Sequence, residues 1–235
     1  MNSRYIETVI NLLREIDEKE YDSIKKAGEL VADSIMAGGI IITFGSGHSI
    51  VGAKEIVSRA GGLFPTKMIK DPSDGIFEQL EGSGLALTKR VEILPEDVMV
   101  IVSNSGRNPT GIEIAMKARE IGAKVIAVTA VEASKKLTSK HSSGKRLYEL
   151  ADVVLDLHSC EGDAAITVEG VEGKICGTST IATVGLLQSM ILHATETMVS
   201  RGFIPPVRIS ANVDYAPANR SLEIEKKYAS RIYRI

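Results

Sequence analysis

The sequence predicts an α/β fold of three α-β-α layers, a doubly wound parallel sheet of about five strands flanked by helices, with a helical hairpin at the N-terminus. Two observations carry this. Mostly apolar, β-branched runs at residues 40–44, 98–102, 125–129 and 153–157 have the pattern of strands covered on both faces. Stretches of helical spacing, such as Ile114, Ala115, Ala118 and Ile121, separate them, as parallel strands joined by crossover helices require.

The elements follow in order. Ile6, Val9, Ile10, Leu13 and Ile16 recur at helical spacing, and after an acidic break at residues 17–20 the pattern resumes at Ile24, Ala27, Val31 and Ile35. Gly38 and Gly39 stop the second helix, and residues 40–44 form the first buried strand. Residues 63–69 make a weaker strand, because Pro65 has no ladder donor; it belongs at an edge or must be short. Residues 178–201 read as one long helix, residues 209–220 as an ordered irregular stretch, and residues 221–235 as a charged terminal helix. The whole, 1–235, is one domain: helices at 1–37, the sheet at 38–205 and a tail at 206–235.

Composition narrows the function classes. An apolar share of 44% and a charged share of 25% argue for a globular core and against disorder. Aromatics are only 4% and the net charge is −2, so neither base stacking nor a long-range field toward polyanions is supplied, and nucleic acid is not expected as a partner. Cys160 and Cys176 are too few and too far apart for a disulfide framework or a zinc site, which fits a reducing compartment. The first residues run straight into an amphipathic pattern, and no stretch approaches the ~20 apolar residues of a membrane span, so the expectation is a cytoplasmic protein with no membrane partner. His158, Cys160, Glu161 and Asp163 are bunched after one strand with no second cluster, so no metal is expected. His193 and Glu196, one turn apart on the long helix, read as a hydrogen-bonded core pair.

In open parallel sheets ligands bind beyond the carboxyl ends of the strands. After the first strand comes Gly45-Ser46-Gly47-His48-Ser49, with Gly52 further on. Glycines let backbone N–H groups face an anion, and the next helix offers its positive end. Ile50 stands where a dinucleotide fingerprint needs its third glycine, and no Gly-Lys-Ser/Thr follows, so no nucleotide cofactor is expected. After residues 98–102 comes Ser103-Asn104-Ser105-Gly106-Arg107-Asn108-Pro109-Thr110. Simple N-capping needs one such residue, whereas this loop gathers several hydroxyl and amide donors that suit phosphate oxygens.

These turns, with Gly177-Thr178-Ser179-Thr180 near the end, resemble the sugar isomerase (SIS) domain family over roughly residues 20–205. The segments at 141–152 and 209–220 are similar to a little-characterised branch of it. The resemblance implies a flavodoxin-like sheet and a sugar-phosphate ligand held by Gly47, Ser49, Ser103, Asn104, Ser105, Asn108, Thr178 and Ser179, without a cofactor. Asn108 stands where the family usually has a hydroxyl, so its contact is lost or passes to Thr110. In relatives a catalytic Glu heads a Glu-x-x-His-Gly segment; Glu78 occupies the Glu position here and Glu81 the His position. Glu55, on the helix after the first glycine turn, is a second candidate base. His48 and His141 are candidate proton donors with an imidazole able to act near neutral pH. Where several isomerases of the family offer a C-terminal histidine, this chain reads Ser210-Ala211-Asn212-Val213-Asp214. Two functions stay open: an isomerase or eliminating enzyme, and a non-catalytic sugar-phosphate-binding regulator. The family usually buries its first helix between subunits, which implies a homodimer or larger assembly.

Overall fold

The computed structural model describes residues 3–210, 212–214 and 218–233. The expected irregular stretch at 209–220 lies partly outside them, at Ala211 and residues 215–217. The terminal helix, α8 (Ala218–Ile232), begins earlier than expected, and residues 234–235 also lie outside the described chain.

Two helices open the fold, α1 (Arg4–Lys19) and α2 (Tyr21–Met36), with Glu20 alone between them. The sheet holds β1 (Ile41–Gly45), β2 (Thr66–Met68), β3 (Val98–Val102), β4 (Lys124–Thr129) and β5 (Val153–Asp156), all parallel in the order β2-β1-β3-β4-β5. Strand β2 is short and at the edge, where Pro65 puts it. The strand order reverses at β1, which opens a crevice between the carboxyl ends of β1 and β3. The crossovers carry α3 (Ser49–Lys54), α4 (Ser83–Thr88), α5 (Pro109–Ile121) and α6 (Val131–Lys136), and α7 (Ser179–Ser200) follows the sheet.

Strand periodicity divides the core in two. On one face Ile41, Val98, Val100, Val102, Ile126, Val128 and Leu155 pack with α2 and α7 residues such as Val31, Ile35, Leu186 and Met190. On the other, Ile40, Ile42, Phe44, Met99, Ile101, Val125 and Ala127 pack with Ile114, Ala115 and Ala118 of α5 and Tyr228 of α8. Buried Glu20 ties the helical pair to the end of β5: its carboxylate accepts from the Asp156 N–H at 3.2 Å and meets His158 Nε2 at 2.9 Å. No described helix is long and apolar enough to cross a membrane.

Two features depart from the sequence reading. Strands β6 (Ala164–Thr167) and β7 (Lys174–Gly177) form a separate antiparallel hairpin, whose β7 is exposed throughout and so carries no buried period to read. His193 and Glu196 are not a core pair: Nδ1 and Oε2 stand 3.8 Å apart, the Glu196 side chain is 62% exposed, and the imidazole packs edge-on against Tyr21.

Candidate functional site

A cleft of ≈ 560 Å³ opens at the carboxyl ends of β1 and β3. Its first wall is the turn from Ser46 to Ser49. That turn closes tightly because Gly45 has no side chain; a Cβ there would sit 2.5 Å from the Ser49 carbonyl oxygen. Asp71 supports the turn from behind, accepting from the Ser46 hydroxyl (3.4 Å), the Gly75 N–H (3.0 Å) and both the hydroxyl and N–H of Ser73. Burial pushes the Asp71 carboxyl up, but these hydrogen bonds outweigh it and hold the group below the usual carboxylate range.

The second wall is the loop from Ser103 to Thr110. Gly106 shapes it at φ +59, donating its N–H to the Ser103 hydroxyl at 3.2 Å. A Cβ at Gly106 would lie 2.8 Å from Thr129 Oγ1 and 3.1 Å from Ser134 Oγ, both on the wall behind. Gly106→Ala is therefore expected to cost about 2 kcal/mol or more from the left-handed backbone and the crowding together. Urea unfolding measures it, and unchanged stability would mean that the loop rebuilds freely. Asn104 fixes the loop rather than facing it outward: its side-chain oxygen accepts from the Ser159 hydroxyl at 2.7 Å, and its carbonyl accepts from the Ala130 N–H at 3.0 Å. The hydroxyls of Ser49 and Ser105 line the cleft and make no hydrogen bond within the described residues.

The remaining predicted residues divide. His48 and Glu78 line the cleft, His48 as an exposed side chain in the glycine turn. Asn108 and Thr110 also line it but point at Glu78: Asn108 Nδ2 donates to Glu78 Oε1 at 2.9 Å, and the Thr110 hydroxyl donates to the Glu78 carbonyl at 3.1 Å while meeting the Ser83 hydroxyl. Ser179 lines the cleft with its hydroxyl and N–H given to Asp163, at 2.7 and 2.8 Å. Thr178 is buried and gives its N–H to the same carboxylate, so the start of α7 already has its anion.

Two candidate catalytic groups lie outside the cleft lining. Glu55 turns away, accepting from Gln188 Nε2 at 3.0 Å and pairing with Arg59 one turn along. His141 sits on the loop after α6, with Nε2 3.8 Å from Glu113 and 4.0 Å from Glu81, and Nδ1 sharing a hydrogen bond with the Ser143 hydroxyl. The hydroxyl of Ser142, then its N–H, hold the Glu81 carboxyl below the usual carboxylate range. Buried Glu113 accepts from the N–H groups of Gly82 (2.5 Å) and Gly84 (2.8 Å) at the start of α4.

Sequence reasoning missed two cations in the lining, Arg107 and Lys140. Arg107 Nη2 donates to Thr138 Oγ1 at 3.3 Å, and its buried Nε has no partner. Lys140 Nζ donates to Gln79 Oε1 at 2.7 Å. Arg107 was visible inside the hydroxyl-rich motif; Lys140 reaches the cleft from a loop with no motif of its own. Glu161 and Asp163 close the far side.

An open α/β domain with a hydroxyl-lined, partly cationic cleft at its switch point is thus defined. The chain belongs to the SIS domain family, whose profile matches residues 4–130. It is 48% identical over 235 residues to a UPF0309 protein of Listeria monocytogenes serovar 1/2a, covering 100% of each chain. A UPF0309 protein of Geobacillus thermodenitrificans is 37% identical, over 99% of this chain and 96% of that one. Among solved structures, a phosphoheptose isomerase from Francisella tularensis shares the fold with a TM-score of 0.56 at 16% identity, over 82% of this chain and 95% of that one. The Vibrio vulnificus NanR protein complexed with ManNAc-6P does so with a TM-score of 0.51 at 15% identity, over 96% and 65%.

Proposed function

We propose that the cleft binds a phosphorylated sugar or amino sugar, and that the protein isomerises it between aldose and ketose or eliminates from it by acid/base chemistry without a cofactor. One observation carries the reading: the Ser49, Ser103 and Ser105 hydroxyls and the Arg107 guanidinium line the same cleft as the Glu78 carboxylate. Hydroxyls and a guanidinium suit phosphate oxygens, and a carboxylate beside them can take a proton from a carbon next to a carbonyl. His48, across the glycine turn, is the donor to the sugar's ring or carbonyl oxygen. The names of the fold neighbours, a phosphoheptose isomerase and a protein holding ManNAc-6P, support the ligand class. Exposed Ile6 and Ile10 on α1 support a homo-oligomer, which we place in the cytoplasm.

The test is thermal shift with product analysis on a panel of hexose, pentose, heptose and N-acetylamino-sugar phosphates, with Ser105→Ala and Ser103→Ala as controls. A ligand at about 1,000 times its Kd adds about 4 kcal/mol. Stabilisation lost in the controls, with conversion, supports the enzyme; no stabilisation by any member sinks the phosphate assignment. The second reading, a non-catalytic sugar-phosphate-binding regulator, is favoured by one observation: His141 is held outside the cleft between two carboxylates. Stabilisation without conversion would establish it.

A further inference from the structure

Asn108 occupies the N-cap of α5, with the extended φ −80, ψ 139 of a capping residue, yet its side chain makes no capping hydrogen bond. An N-cap asparagine ordinarily accepts from the second or third N–H of its helix. Here the second N–H, that of Thr110, donates instead to the main-chain carbonyl of Glu78 at 3.3 Å, and the Thr110 hydroxyl reaches the same oxygen. The Asn108 amide is thereby released to donate to Glu78 Oε1 at 2.9 Å. Two segments 30 residues apart exchange partners: Glu78 caps α5 with its main chain, and the capping residue holds the Glu78 side chain.

The exchange matters because Glu78 lies in a run of turns, outside any helix or strand. Its aim is set by these bonds from the start of α5. Its second carboxylate oxygen, Oε2, accepts no hydrogen bond among the described residues, and Glu78 lines the cleft. An amide N–H on one carboxylate oxygen fixes the orientation of the group and leaves the other oxygen to the substrate.

We propose that Asn108 is a positioning residue that aims Glu78, in place of the phosphate contact a hydroxyl would make there. This rests on Glu78 being the base. The experiment uses the panel sugar phosphate that the wild type converts, with inorganic phosphate as a probe of the anion seat alone. Asn108→Ala is expected to lower kcat about 10–100-fold with KM within about threefold and the inorganic phosphate thermal shift retained. Asn108→Asp, which removes the amide donor and sets a like charge against Glu78, is expected to lower kcat at least as far as the alanine variant. Asn108→Ser keeps a capping residue on α5 but is too short for Glu78, so it repeats the kcat loss even where the alanine variant folds poorly. A tenfold rise in KM with kcat intact and the phosphate shift lost would make Asn108 a phosphate ligand and overturn the proposal. Full turnover in Glu78→Gln would remove the base itself, a failure distinct from that of Asn108. A wild type that binds but never converts would remove both.

Discussion

Glu78→Gln is expected to slow turnover about 10²–10⁴-fold while leaving sugar-phosphate binding nearly intact. Glutamine keeps the size of the side chain, and the Glu78 main-chain carbonyl that accepts from Thr110 is untouched. Its amide oxygen still accepts from Asn108, so the geometry survives. What disappears is basicity, and with it the transfer of a proton between adjacent carbons. Steady-state kinetics measures the loss, and exchange of the substrate's carbon-bound hydrogen with deuterated water should fall in parallel. An unchanged rate would move the proton transfer elsewhere in the cleft, where His48 is the next group to test. Loss of binding together with rate would instead mean that Glu78 holds the Ser103 to Thr110 loop in shape, and the prediction would fail on that side.

The parts of the molecule legible in the sequence are those with a local or periodic cause. Strands β1, β3 and β4 read clearly because each is buried on both faces along nearly its whole length. That β2 is at an edge or short followed from the missing donor of Pro65 alone. The β6–β7 hairpin left no trace of this kind: neither of its two four-residue strands has a buried residue, and Gly170 and Gly173 lie between them. The two loops lining the cleft were legible for the same reason as the strands: glycines and hydroxyls crowded into a few consecutive residues. Which partner each side chain chooses was not. Nothing local announces that Gln188, 133 residues away, takes the Glu55 carboxylate, or that Asp163 claims Ser179 before any ligand does. Glu78 was found through the family pattern, but the tie from Asn108 is tertiary.

Asp97→Ala is expected to destabilise the fold by about 3–5 kcal/mol, the largest stability loss of any single side chain considered. The Asp97 carboxylate is wholly buried and joins three parts of the structure. It accepts from the Ile40 N–H at 2.9 Å, just before β1, and from the Leu94 N–H at 2.8 Å, just before β3. It also accepts from Arg231 Nη2 of α8 at 2.7 Å, while Arg231 Nε pairs with Glu92 at 3.2 Å. Alanine would leave two backbone donors unsatisfied and a mostly buried guanidinium short of one of its two carboxylates, each a desolvation cost with nothing to offset it. Urea unfolding gives the loss directly, and a change under about 1 kcal/mol would show that water or Glu92 replaces the carboxylate. Arg231→Met leaves both N–H donors bonded but strips the wholly buried Asp97 carboxylate of its counter-charge, so it too is expected to destabilise the fold. Asp97 lies at the amino ends of the strands, whereas the cleft lies at their carboxyl ends. While still folded, the Asp97→Ala protein should therefore bind the same sugar phosphate with the same Kd, and a changed Kd would mean that strain at the base of β1 and β3 reaches the loops above them.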